Sequence, residues 1–162
     1  MFCVEKNIIF AEIFKVNSMK YRIYLDNCCF NRPYDDQSQT RVRFETQAKL
    51  HIQKMVFERE IELVWSYVMK FENSRNPYEA KRNAIAQWEK LSSLFVTASD
   101  AIIADADIIT TTGVKNTDAL HVACAIAGNC HYFLTVDKRL LVYQDNRIII
   151  CNPIEFINQI EI

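Results

Sequence analysis

Residues 117–137 read TDALHVACAIAGNCHYFLTVD. The segment DALHVACAIA, residues 118–127, is apolar on almost every side, which predicts a helix buried all round rather than one with a solvent-facing stripe. Gly128 closes it, as a glycine past a helix end commonly does. His131–Thr135 then predicts a short strand leading to Asp137. A buried helix followed by a short apolar strand, with an acid just beyond the strand's carboxyl end, is a piece of a parallel sheet covered by helices.

The same alternation extends toward the N-terminus. Tyr21–Leu25 predicts a strand ending at Asp26, and Ile61–Trp65 a second. Between them, residues 27–38 are polar with Pro33 and two aspartates and read as a loop. Residues 40–59 then read as a long helix with Phe44, Ala48, Ile52, Met55 and Val56 on its inner face. Ser66 can cap a short helix carrying Tyr67, Val68, Phe71 and Glu72. Ala84, Ile85, Trp88 and Leu91 mark another amphipathic helix, and Leu94–Thr97 a brief strand. Ser99 or Asp100 caps a helix to about Thr111 with Ile102, Ala106 and Ile109 inward, and Gly113 follows its end. Asn116 or Thr117 caps the buried helix. After Asp137, Arg147–Cys151 predicts the last strand and Pro153 starts a terminal helix. The expectation is one three-layer α/β/α domain over residues 19–162 with a central parallel sheet. Residues 1–18 read as an N-terminal extension, and Met19 stands directly before the first strand.

Composition sets limits. With Gly113 and Gly128 the only glycines in 162 residues, neither a GxGxxG turn nor a P-loop can be written. The net charge of −1 gives no basic footprint for duplex DNA. Residues 20–90 hold 13 basic and 10 acidic side chains, an asymmetry that permits a polyanion groove without demanding one and is better explained by a merely solvated surface. The six cysteines form no CxxC and, with His51, His121 and His131, no zinc spacing, so they read as reduced and the compartment as cytoplasmic. No apolar run is long enough to span a membrane, and the charges at Glu5, Lys6, Glu12 and Lys15 interrupt any signal-peptide core.

Ligand sites in open parallel sheets form at the carboxyl ends of strands. Asp26 and Asp137 sit there, Asp118 begins the buried helix at the same rim, and Glu72 lies in the helix after the second strand. Two unit charges ~5 Å apart at an effective dielectric of ~20 repel by ~3 kcal/mol, so four converging carboxylates call for a cation or a proton. Oxygen ligands without a His or Cys motif favour Mg²⁺ or Mn²⁺ over zinc. Such an ion would hold a phosphate in place of backbone N–H groups. Each acid has a structural alternative. Asp118 would serve as a first-turn acid favoured by the helix dipole, Asp137 as an N-cap and Glu72 as a surface residue. His121, three residues after Asp118, reads as a packed, hydrogen-bonded core histidine.

The segments YLDNCCFNRPYDD, WSYVMKFENSRNP, TDALHVACAIAG, YFLTVDKRLL and NPIEF, in this order over residues 20–157, resemble the PIN-domain family of metal-dependent ribonucleases, which includes VapC-type toxins. The resemblance implies that Asp26, Glu72, Asp118 and Asp137 are both the catalytic and the metal-holding acids, with Asp26 and Asp118 central. Thr135 would orient the site as a hydrogen-bond donor. Arg32 and Arg41 would meet phosphates or serve structural roles. The implied reaction is hydrolysis of RNA phosphodiester bonds by in-line attack of water, leaving 5′-phosphate and 3′-hydroxyl ends. The natural substrate would be single-stranded or loop RNA, whose backbone can be splayed into a site. The implied partners are an RNA substrate, an antitoxin protein and a second copy of the chain. The alternative is a catalytically silent PIN-like module that binds RNA or protein. A phosphoaspartyl enzyme built on Asp26 would want a second Asp two residues on, where Cys28 stands.

Overall fold

The computed structural model describes residues 20–161, so the expectations for residues 1–18 and Met19 lie outside the described residues. Five short strands form one sheet: β1 (Arg22–Leu25), β2 (Glu62–Ser66), β3 (Leu94–Val96), β4 (Tyr132–Leu134) and β5 (Ile149–Cys151). All neighbours are parallel and the order is β3-β2-β1-β4-β5. The helices are α1 (Asn27–Asn31), α2 (Thr40–Phe57), α3 (Tyr67–Ser74), α4 (Glu79–Ala86), α5 (Asp100–Thr110), α6 (Asn116–Ala127) and α7 (Pro153–Ile160).

The expected three-layer α/β/α architecture follows from burial on both sheet faces. The central strands carry continuous buried runs, Ile23–Leu25 in β1, Leu63–Ser66 in β2 and all of β4, because helices cover both sides. Helix α2 packs on α7, and α5 on α6. The connection β1–α2–β2 and the return β3–α5–α6–β4 run in opposite directions across the sheet, so the right-handed crossover rule assigns them to opposite faces. The core centres on Trp65, Tyr24, Phe30, Phe133 and Phe156, with Tyr24 stacked on Phe133 at 5.3 Å. No helix among the described residues is long and apolar enough to cross a membrane. The five described cysteines are unpaired thiols.

Several local expectations need correcting. Residues 27–38 are not a plain loop. Asn27–Asn31 forms α1 and Arg32–Tyr34 a 3-10 turn, both too short to leave a helical period in the sequence. The helix expected around residues 84–91 is split into α4 and a 3-10 segment over Gln87–Leu91. Phe44 does not face inward. It is 55% exposed; Ala48, Ile52 and Val56 are buried as expected, and α2 also buries Val42, Glu45, Thr46, Lys49 and Gln53. The charge of Glu45 is tolerated there because Arg32 and Arg41 both bond it, at 2.6 and 2.7 Å. Helix α6 starts at Asn116 with Lys115 at its N-cap, so neither Asn116 nor Thr117 caps it with a side chain. Ser66 and Ser99 do cap, accepting from the N–H groups of Met69 and Ile102.

The two glycines serve different needs. Gly113 has φ +96°, a backbone conformation that L side chains rarely adopt. Gly128 has an ordinary φ of −78°. It is required by closeness, since a Cβ there would lie 2.9 Å from Val64 Cγ1.

Candidate metal centre

Strand order reverses between β1 and β4, because the chain runs outward from β1 to β2 and β3 and then returns to the other side. A crevice opens outside the carboxyl ends of strands at such a switch point. Asp26 lies at that point. Its N–H donates to Leu134 O at 2.9 Å, prolonging the pairing of β1 with β4. It stands at the N-cap of α1, yet its side chain makes no cap bond. Its Oδ2 instead accepts from Thr135 Oγ1 at 2.9 Å and from Cys28 Sγ at 3.1 Å. Thr135 in turn accepts from Asp137 N–H at 3.1 Å. The hydroxyl therefore ties the end of β1 to the segment after β4, and it donates to Asp26 as expected.

Glu72 reaches the same place from α3. Its Oε2 accepts from His121 Nε2 at 2.7 Å. His121 is buried, and its Nδ1 lies 2.7 Å from Tyr24 Oη, which is 2.6 Å from Ser66 Oγ. With both ring nitrogens protonated, Nδ1–H donates to Tyr24; in the neutral ring, Tyr24 donates to Nδ1. Burial works against the imidazolium, but the bond to Glu72 and the charges of Asp26, Glu72 and Asp118 raise the His121 pKa above its ordinary value. Burial likewise opposes ionised Glu72, yet His121 and the Asn27 side chain hold its pKa below the ordinary value.

Asp26, Glu72 and His121 can each offer one ligand atom, and the three atoms lie within 4.8 Å of one another. Two carboxylates and an imidazole make a donor set that fits a divalent ion. Asp118 and Asp137 are not in this set. Asp118, on the same helix as His121, has its pKa raised, first by burial and then by the negative charges of Asp26 and Asp137. Asp137 is turned to Arg139, whose backbone N–H and Nε donate to Oδ1 and whose Nη2 donates to Oδ2. Burial opposes its ionisation, but Arg139 keeps its pKa low. Arg32 and Arg41 are committed to Glu45, the structural one of their two expected roles.

The residue missed by sequence reasoning is His121 in its second capacity. It is packed and hydrogen-bonded as expected, and it also faces the carboxylates. The available signal was its spacing from Asp118, three residues along one helix. The absence of a zinc-like spacing concealed a nitrogen donor that meets Glu72 from 49 positions away.

No family model matches the chain, and no curated protein sequence matches it. Among solved structures, the chain is similar to one in the crystal structure of VapBC2 from Rickettsia felis bound to a DNA fragment from their promoter. Identity is 16%, the match covers 81% of this chain and 98% of that one, and the TM-score is 0.48.

Proposed function

We propose that the chain is a divalent-metal-dependent endoribonuclease that hydrolyses RNA phosphodiester bonds in the cytoplasm. In this reading it is the toxin of a type II toxin–antitoxin pair and works as a homodimer with Mg²⁺ or Mn²⁺. The observation that carries the nuclease reading is the convergence of Asp26, Glu72 and His121 at the switch point, beside an Asp118 held in its charged form against burial and like charge. The ordered sequence resemblance to PIN domains supports the same reading.

Asp26 and Glu72 would hold the ion, with Asp118 and Asp137 completing the site directly or through water. When bound, a divalent ion there supplies polarisation of the phosphoryl oxygen and acidification of a water. The chain's own residues do the rest. Thr135 Oγ1 fixes the Asp26 carboxylate by donating to Oδ2. His121 fixes Glu72, and its buried tether to Tyr24 and Ser66 sets the position of the ring. Asp118, whose charged form is disfavoured by burial and by the charges of Asp26 and Asp137, would be favoured in that form by a cation beside it.

The test is incubation of purified protein with mixed RNA plus Mn²⁺, with EDTA, and with Asp118→Asn in place of the wild type. Cleavage is expected only for the wild type with metal. Equal products in all three would trace the activity to a contaminant and end the reading. For the toxin role, induced wild-type protein is expected to slow growth more than Asp26→Asn; equal growth would remove that role.

A further inference from the structure

A cleft of about 370 Å³ opens beside Asp118, between the loop joining α5 to α6 and the turn after β4. Its wall is mainly apolar, lined by Val114, Leu140, Val142 and Tyr143. Leu140 belongs to the core, whereas Val142 is 79% exposed at the mouth. Tyr143, an aromatic residue of this lining, donates its hydroxyl to Asp145 Oδ2 at 2.9 Å, which anchors the end of its side chain. Lys115 and Arg139 also line the cleft, and both act electrostatically on the carboxylates of Asp118 and Asp137. The volume lies at the small end of ligand pockets, which run from about 300 to 1,000 Å³.

An apolar, partly aromatic wall with cations next to a carboxylate cluster suits a ligand that is flat and apolar at one end and anionic at the other. A nucleotide has that form, and aromatic side chains stack on bases without needing a particular sequence. We propose that this cleft seats the base and ribose of the nucleotide adjoining the reactive phosphate, with Lys115 and Arg139 directed at phosphate oxygens. The proposal rests on the ribonuclease reading and adds residues that hold no metal. The apolar wall accounts for affinity, and the exposed Gln144 amide at the rim supplies a contact for a base edge.

The probes are the four nucleoside 5′-monophosphates, titrated into the full chain and followed by amide chemical shifts. Saturable shifts are expected at Gly113, Val114, Leu140 and Val142. Val142→Glu, at an exposed site that leaves the core intact, should weaken binding about fivefold or more, as should Lys115→Met. The corresponding nucleosides, lacking phosphate, should bind the wild type more weakly and be insensitive to Lys115→Met. Shifts that map elsewhere, or variants that bind like the wild type, overturn the proposal. RNA cleavage measured alongside separates the two readings. An unchanged KM for Val142→Glu in an active enzyme removes the cleft and leaves the nuclease. Nucleotide binding in the cleft of a protein that cleaves no RNA leaves the cleft and removes the nuclease.

Discussion

Replacing Lys49 by Met should make the protein more stable at neutral pH. Lys49 is only 5% exposed in the middle of α2, and no described carboxylate lies within ion-pair distance of it. Its ammonium sits over the Phe30 ring, 5.4 Å from the centroid. Burial pushes its pKa down from 10.5 to about 8. That gap corresponds to ~3 kcal/mol by which burial disfavours the charged side chain at pH 7. Met keeps the length and apolar stem, and forfeits a cation–π contact worth ~1 kcal/mol. The net expectation is a gain of ~2 kcal/mol. The sign follows from proton counts. Between pH 8 and 10.5 the unfolded wild type binds more protons than the folded one, so wild-type stability climbs with pH across that window. Below pH 8 the penalty is constant. The advantage of Met should therefore be full at pH 7 and under ~1 kcal/mol by pH 10. Urea unfolding of both proteins at the two pH values measures it, with a midpoint difference of about 1 M expected at pH 7. A variant less stable at pH 7, or an equal gain at both pH values, would refute the argument, because apolar contacts alone do not titrate.

Two further outcomes are expected. The pair formed by Glu72 and His121 should give a stability contribution confined to a pH window when metal is removed by EDTA. The raised His121 pKa makes its share present below ~6.5 and lost as pH rises through the folded value, while the lowered Glu72 pKa makes its share present above ~4.3 and lost as pH falls through the folded value. The difference in melting temperature between wild type and Glu72→Gln should peak between these limits, and a difference that is flat from pH 5 to 9 would exclude the ion pair. Gly128→Ala should cost about 1–3 kcal/mol, because the added methyl meets Val64 Cγ1 at 2.9 Å and β-branched Val64 and Val96 cannot both yield. Thermal unfolding with no loss would mean that α6 can lift away from β2 freely.

The sheet was legible because its strands are buried on both faces, so runs such as YFL and LVW needed no alternation to stand out. Helix α2 was misread at Phe44 for a definite reason. Its buried stripe contains Glu45, Lys49 and Gln53, and a hydrophobic period cannot report a face that carries such polar side chains, with Glu45 neutralised by Arg32 from outside the helix. The candidate site was legible as positions and not as contacts. Acids after strands can be read from order alone. The bond from His121 to Glu72 joins residues 49 apart and exists only once α3 and α6 pack together. Helix α1 escaped because five residues give barely one turn of periodicity.

The acids differ in how well a purely structural role explains them, and for Asp118 and Asp137 the direction of the shift is the discriminator. An acid placed in a helix's first turn to favour the dipole is stabilised in its charged form, so its pKa should fall. Asp118 occupies the first turn of α6, and its pKa rises. Burial and the charges of Asp26 and Asp137 outweigh the dipole and the nearby Lys115, so the fold holds this carboxylate where it is disfavoured. Asp137 shows the opposite pattern. Its pKa is lowered, its Oδ1 accepts the N–H two residues on, and a local turn explains it. Asp118→Asn therefore separates the roles. If the acid serves the helix, the variant should melt lower in EDTA. If it serves a cation, removing its charge relieves repulsion and should raise metal-free stability, on the order of 1 kcal/mol once solvent screening is allowed for. The same change should weaken Mn²⁺ binding in a calorimetric titration. A variant that is less stable without metal and binds Mn²⁺ like the wild type would return Asp118 to the helix.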